Sequence, residues 1–119
     1  MLTTQSHYID FEISDSTVRV FPGAVKLGDM VALFRGGQLQ ISEMANFSDQ
    51  SSYQWSTLCI IPSGEGADMT SVISASASSV RELEFPILPD ASAMKPVGLF
   101  ELHTNDGTSI DLVSWYRVS

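Results

Sequence analysis

Hydrophobic and polar residues alternate along much of this chain, and the alternation predicts strands. Near the N-terminus, Ile9, Phe11 and Ile13 fall on one face of an extended segment and acidic residues fall on the other. After a polar break at Asp15, residues 17–21 alternate again and end at a Pro-Gly pair, where proline removes a hydrogen-bond donor. These two segments predict a β-hairpin.

The glycine pair Gly36-Gly37 is the strongest hairpin signal in the chain. It separates the apolar residues 29–35 from the alternating residues 38–41, and two adjacent glycines accept the positive φ angles of tight hairpin turns. A second signal, Asn-Asp-Gly at residues 105–107, lies between two apolar segments near the C-terminus. We expect a hairpin at each of these turns.

The middle of the chain predicts a central strand, a loop and an edge strand. Residues 53–61 are rich in aromatic and β-branched residues and apolar on both faces in their second half, which is typical of a central strand. Residues 42–52 are polar and aperiodic, which indicates a loop with room for a short helical turn. Residues 68–81 fit both helical and extended spacing, and we favour strand or loop there. Residues 81–87 alternate around Pro86, which favours an edge strand.

Together these elements predict an all-β protein. A chain of 119 residues has the length of one domain, and 44% hydrophobic residues can supply its core. We expect a single β-sandwich or β-barrel-like domain over residues 1–119, built of antiparallel hairpins with long loops, with residues 1–8 as an N-terminal arm. Residues 18–41 and 83–113 share an order of strand, Phe-Pro, loop, strand, turn and strand, which indicates either an internal duplication or chance recurrence.

Charge and termini limit the classes of partner. The net charge of -8 opposes binding to nucleic acid and to anionic membranes, because both attract cationic surfaces. Residues 1–10 lack the basic start and apolar run of a secretory signal, and no apolar run approaches the ~20 residues needed to cross a bilayer. We therefore expect no signal peptide, no nucleic-acid partner and no membrane partner.

Residue types that carry catalysis are few and scattered. His7 and His103 are the two histidines, and neither has a cysteine or histidine at metal-ligand spacing. Cys59 lies in an apolar strand, where a free cysteine behaves as a small buried hydrophobe. Glu82 and Glu84 fall on the solvent side of their predicted strand. We expect no metal, no cofactor and no enzymatic activity.

Aromatic and arginine side chains remain as candidates for recognition at a surface. The aromatic rings are of the amphipathic kind enriched at interfaces, and an aromatic core explains them equally well. The arginines are four of only six basic residues, which makes them candidates for ion pairs at subunit contacts or on the protein's own surface. The aromatic candidates are Tyr53, Trp55, Trp115 and Tyr116, and the arginines are Arg19, Arg35, Arg81 and Arg117.

Two segments have the same order of elements, strand, glycine turn and strand, as a known group of proteins. Residues 26–33 (KLGDMVAL) precede residues 37–39 (GQL), and residues 95–100 (KPVGLF) precede residues 107–112 (GTSIDL). This pattern resembles the small β-rich head decoration, or cement, proteins of tailed bacteriophages. The resemblance implies a non-enzymatic protein that binds the capsid lattice after expansion, as a dimer or trimer, and stabilises the shell against internal DNA pressure.

The resemblance also implies the partners and the place of assembly. The partners would be the major capsid protein or another virion protein and further copies of this chain, each interface burying roughly 800 Å² per partner. The protein would be located in the virion after assembly in the host cytoplasm. We expect the N-terminal arm and residues 47–55 to contact a neighbouring chain. The candidate interface residues are Met1, Leu2, His7, Tyr8, Phe47, Tyr53, Trp55, Arg35 and Arg117.

Two other functions share this architecture. A tail, baseplate or fibre-attachment component of the virion would assemble with a ring or tube instead of the capsid lattice. A carbohydrate- or peptide-binding β-sandwich would expose a concave aromatic patch, formed from Tyr53, Trp55, Trp115 or Tyr116 together.

Overall fold

The computed structural model describes residues 9–47, 52–64, 66–86 and 94–118. Within these ranges the chain forms nine strands and one short 3₁₀ helix, Ile41–Met44. None of the described helices is long and apolar enough to span a membrane. The strands are β1 (Phe11–Ser14), β2 (Thr17–Val20), β3 (Gly23–Leu27), β4 (Met30–Phe34), β5 (Gly37–Gln40), β6 (Tyr53–Ser63), β7 (Gly66–Ala77), β8 (Lys95–Thr104) and β9 (Ile110–Arg117). The all-β fold class predicted from the alternation is confirmed.

The strands form two sheets that pack against each other. The smaller sheet has the order β1-β2-β5, and the larger sheet has the order β3-β4-β7-β6-β8-β9. Neighbouring strands are antiparallel except β4 and β7, which pair in parallel through Phe34 and Ala67. Strand β6 lies between β7 and β8, so the central strand predicted at residues 53–61 is confirmed.

The core lies between the two sheets and is filled by one face of each strand. Phe11 of β1 contacts Phe100 of β8 and Trp115 of β9, with ring centroids 5.4 Å and 5.6 Å apart. Gly98 lies directly beneath Phe11, because a Cβ at Gly98 would be 2.8 Å from the phenyl ring. The buried apolar residues of this core are Ile9, Phe11, Val18, Val20, Val25, Leu27, Ala32, Phe34, Ile41, Met44, Leu58, Ile60, Val97, Phe100 and Leu102.

The hairpin predicted at Gly36-Gly37 is wrong, although the strands on both sides of it form. Strands β4 and β5 belong to different sheets, since β4 pairs with β3 and β5 pairs with β2. Gly36 has a φ of 88°, which directs the chain from one sheet to the other instead of back on itself. The reversal takes place at Gly28, whose φ of 65° closes the hairpin between β3 and β4. Strand β3 is itself absent from the predicted strands.

The edge strand predicted at residues 81–87 is also wrong in its described part. The amides of Glu82 and Leu83 donate to the carbonyls of Ser79 and Val80, which makes a turn. Residues 83–86 then run without a strand partner. The side chain of Phe85 packs on the ring of Trp55 in the larger sheet. Its apolar character therefore reflects this side-chain contact and not a position in a strand.

Other predicted elements form as expected. The chain reverses between β1 and β2 at Asp15, and between β8 and β9 near Asp106, in antiparallel hairpins. Residues 66–77 form β7, which confirms the extended reading of that segment. The order shared by residues 18–41 and 83–113 is not a structural repeat. The first segment spreads over both sheets, whereas β8 and β9 are neighbours in one sheet.

Candidate functional site

The described members of the predicted interface lie at separate places in the fold. Phe47 is partly buried against the core, and Trp55 is buried. The ring of Tyr53 lies 4.5 Å from that of His103, measured between centroids. Residues 48–51 and the N-terminal arm fall outside the described residues, and with the arm fall Met1, Leu2, His7 and Tyr8.

Arg117, a predicted subunit contact, joins the two sheets within one molecule. Its Nε donates to Asp10 Oδ1 at 2.7 Å, and a terminal nitrogen donates to the carbonyl of Phe11 at 3.0 Å. The guanidinium also lies over two rings, 5.1 Å from the centroid of Phe11 and 4.8 Å from that of Trp115. The hydrogen bond from Arg117, with that from the Phe11 amide, lowers the pKa of Asp10. Arg117 therefore stabilises the packing of β1 on β9.

Three aromatic rings form a cluster on the side of the larger sheet that faces away from the smaller one. Trp55 of β6 lies 5.2 Å from Phe85 and 6.1 Å from Tyr116 of β9, and Phe85 lies 6.2 Å from Tyr116. Trp55 is buried, whereas Phe85 is 67% and Tyr116 51% exposed. Trp115 lies against Phe11 on the opposite side of the sheet. The four aromatic residues named from the sequence therefore do not form one patch. The most exposed ring of the cluster belongs to Phe85, which is not one of those four.

The hairpin of β3 and β4 exposes apolar side chains on its outer face. Val31 is 56% and Leu33 54% exposed there, while Ala32 and Phe34 on the other face are buried in the core. Met30, which is 40% exposed, pairs with the buried Leu27 at the turn end of that inner face. The sequence contains this signal, since residues 30–34 are apolar on both strand faces. A strand apolar on both faces normally lies in the interior of a sheet stack, whereas the outer face of β4 is open among the described residues.

A cleft of about 360 Å³ opens where the chain passes between the sheets. One passage leaves β2 through Pro22, and the other leaves β4 through Arg35 and Gly36. The cleft thus brings together two of the arginines that the sequence singled out. Its lining residues are Arg19, Val20, Pro22, Arg35, Gly36, Gly37 and Gln38.

The buried polar groups of β6 have structural partners. The Gln54 side-chain amide donates to the Met44 carbonyl at 2.7 Å and accepts from the Asn46 amide at 2.8 Å. Ser56 donates to the same Met44 carbonyl at 2.7 Å. These bonds fix the 3₁₀ helix and the chain that follows it on the central strand. The polar residues of this group therefore specify packing, a role that the sequence pattern does not reveal.

Nucleophilic and metal-ligating groups do not converge in the part of the chain that the structure describes. Cys59 is fully buried, as predicted, and burial raises the pKa of its thiol to about 11. A thiol with this pKa stays protonated near neutral pH and is a poor nucleophile. Residues 9–47, 52–64, 66–86 and 94–118 contain no group of three His, Cys, Asp or Glu side chains placed to hold a metal ion.

Comparison with known proteins finds no matching family model, no matching curated protein and no matching solved structure. The structure itself defines an all-β protein in which a three-stranded sheet packs on a six-stranded one. Its described surface has three distinctive features: the apolar face of the β3–β4 hairpin, the Phe85–Tyr116 pair and the arginine cleft.

Proposed function

We propose that this protein is a non-enzymatic structural component of a bacteriophage virion, which binds the capsid shell as a decoration protein. The outer face of the β3–β4 hairpin is the observation that supports this proposal most directly. Val31 and Leu33 are neighbours on that face and are each more than half exposed. Contiguous exposed apolar side chains of this kind are typical of a protein–protein contact.

The backbone of the hairpin is held in place by the core, as a docking element requires. Its inner face is held in the core by Val25, Ala32 and Phe34, so the outer side chains are presented on a fixed backbone. Strand β3 is an edge of the six-stranded sheet. Lys26 pairs directly with Val31 in the ladder between β3 and β4 and is the charged residue of that ladder. Its positive charge beside the apolar face favours a partner surface with an acidic rim.

The size of the apolar face explains why a repeating partner is proposed. Full burial of a Val or Leu side chain is worth about 1.5–3 kcal/mol, so the two half-exposed ones contribute about 2 kcal/mol in total. Association of two proteins costs at least about 4 kcal/mol in lost translational and rotational freedom. One such face is therefore insufficient alone. Contacts repeated over a dimer or trimer on a symmetric lattice become collectively strong.

The proposal is tested by co-sedimentation with expanded empty shells assembled from the major capsid protein of a tailed bacteriophage. We expect the wild-type protein to pellet with the shells and the Val31→Ser/Leu33→Ser variant to lose at least about tenfold in occupancy. Val80→Ser is the matched control, because Val80 is 57% exposed but lies in the turn after β7. Its occupancy should equal that of the wild type.

Three results would overturn the proposal. The first is a wild-type protein that does not pellet with the shells, and the second is a double variant that pellets as well as Val80→Ser. The third is assembly with tail tubes or baseplate rings in place of shells, which would make the protein a tail component. Deletion of residues 1–7 gives a further check, since the proposed N-terminal arm should be required for incorporation.

A carbohydrate- or peptide-binding module is the second candidate, and the exposed Phe85–Tyr116 pair is the observation that favours it. Two rings 6.2 Å apart over a buried tryptophan offer an apolar platform for a sugar ring or an aliphatic side chain. A glycan and peptide array probed with the wild type and with Phe85→Ala tests this function. Binding that Phe85→Ala abolishes, in a protein that ignores shells, would replace the decoration function by this one.

A further inference from the structure

The cleft at Arg19 and Arg35 concentrates positive charge in an acidic protein. The chain has six Lys and Arg residues against fourteen Asp and Glu, yet two of the six line this one cleft of about 360 Å³. The acidic excess repels anions from the surface in general. The two arginines therefore make the cleft a local region of positive charge on an acidic protein. An anion can approach the protein more readily there than elsewhere on its surface.

The guanidinium of Arg35 has no protein partner among the described residues. Ion pairs formed by the described arginines join Arg19 to Glu12 and Arg117 to Asp10, and Arg35 forms no hydrogen bond or ion pair with another described residue. An arginine offers five N–H donors in a planar fork, which fits the paired oxygens of a carboxylate or a phosphate. The donors of Arg35 are therefore available to a ligand.

Arg19 retains donors in spite of its pairing with Glu12. The Arg19–Glu12 contact is 3.6 Å long and lies between two side chains that are more than half exposed, so it is a weak surface pair. Gln38 lies directly opposite Arg19 in the ladder between β2 and β5, on the same face of the small sheet. Its side-chain amide has no hydrogen bond to another described residue and adds a further donor beside Arg19.

Gly36 keeps one part of the cleft free of side chains. A Cβ at Gly36 would lie 3.2 Å from Pro22 Cδ and 3.3 Å from the Val20 carbonyl oxygen, and the φ of 88° disfavours a side chain there in any case. A Cβ at Gly37 would instead lie 3.0 Å from Met69 Cε, and Met69 does not line the cleft. The two passages of the chain between the sheets thus create the cleft, and both arginines line it.

From this arrangement we propose that the cleft is an oxyanion-binding site, in which Arg19 and Arg35 bind a carboxylate or phosphate group with Gln38 as an additional donor. The site is separate from the apolar face of the β3–β4 hairpin. It does not depend on the function proposed above, because it is a property of the isolated chain. Carboxylate and phosphate share the chemistry that the fork recognises, and the experiment distinguishes them.

The test is an NMR titration of the isotope-labelled protein at neutral pH and constant ionic strength, with inorganic phosphate in one arm and succinate in the other. We expect saturable shifts of the backbone amides of Gly36, Gly37 and Gln38. Loss of a charge-assisted hydrogen bond should weaken binding about tenfold in Arg35→Gln. Arg81→Gln is the matched control, because Arg81 is an exposed arginine in the turn after β7, outside the cleft. Its affinity should stay within about twofold of the wild type.

The outcomes separate binding from misfolding and from non-specific charge effects. An Arg35→Gln spectrum that is unchanged outside the cleft shows that the variant is folded, so its weaker binding reports the lost guanidinium. Saturation by succinate alone assigns a carboxylate site, and saturation by phosphate alone assigns a phosphate site. Shifts that rise linearly without saturation, or that are equal in Arg35→Gln and wild type, indicate an adventitious ion only and overturn the proposal.

Discussion

Substitution of Gly98 by alanine tests a close contact between the two sheets. The added methyl would lie 2.8 and 2.9 Å from two atoms of the Phe11 ring and 3.0 Å from the Phe100 ring. Favourable separations between carbon atoms are about 3.5–4.0 Å, so either a ring or the backbone must move by more than about half an ångström. The Phe11 ring cannot retreat freely, because it is fully packed between Phe100, Trp115 and the guanidinium of Arg117.

The expected cost follows from this geometry. Overfilling a well-packed core costs about 1–3 kcal/mol, and alanine recovers about 0.5 kcal/mol by restricting the unfolded chain. We therefore expect Gly98→Ala to lower the free energy of unfolding by about 2 kcal/mol, which for a chain of this size lowers Tm by about 8 °C. Urea denaturation followed by tryptophan fluorescence measures the change, with differential scanning calorimetry as a second readout.

A double-mutant cycle and a matched glycine make this prediction specific. In a Phe11→Leu background the shorter side chain leaves room for the methyl, so Gly98→Ala should there cost less than about 1 kcal/mol. Gly66→Ala is the control, since its Cβ would lie 3.5 Å from the nearest atom, an ordinary contact. We expect a change of at most about 0.5 kcal/mol for it. Equal losses for Gly98→Ala in the two backgrounds, or for the two alanine variants, would refute the packing argument.

Two further predictions concern polar groups. Gln54→Met keeps the side-chain volume but removes the hydrogen bonds to the Met44 carbonyl and the Asn46 amide, so we expect a loss of about 2 kcal/mol in urea denaturation. The exposed Gln38→Met should change stability by less than about 0.5 kcal/mol, and a similar loss in both would contradict the role of the buried network. Hydrogen bonds from the amides of Ser109 and Thr108 lower the pKa of Asp106 from 3.8 to about 2. A depressed folded-state pKa stabilises the protein above the unfolded value and loses that contribution as pH falls from about 4 to 2. Asp106→Asn, which keeps an acceptor oxygen, should therefore show a shallower loss of stability over this range, and identical pH profiles would refute the assignment.

Most strands of this protein, though not β3, could be predicted from its sequence, because their alternation depends on neighbours along the chain. Residues 9–13, 53–61 and 97–103 each place apolar side chains on a face that must be buried, and the structure forms a strand over most of each. Burial of Cys59 also follows from local composition. Turn chemistry at residues 105–107 predicted the last hairpin for the same reason, since a tight turn is a local structure.

Tertiary structure decided which strands became neighbours. A positive φ at Gly36 permits both a hairpin and a passage to another sheet, and nothing within a few residues chooses between them. The choice is made by burial. Strand β4 places Ala32 and Phe34 in the core as a partner of β3, whereas β5 completes the small sheet beside β2. These contacts also created the arginine cleft, which no spacing between residues 19 and 35 predicts.

The same distinction applies to the candidate surfaces. The sequence identified Arg35 and Arg117 as unusual in an acidic chain, and the structure places one in an open cleft and the other in a bond between sheets. It identified Trp55 as a candidate ring, and the structure covers that ring with Phe85. A residue's type limits what it can bind. Whether it is free to bind depends on side chains far away in sequence, because exposure is set by packing across the whole fold.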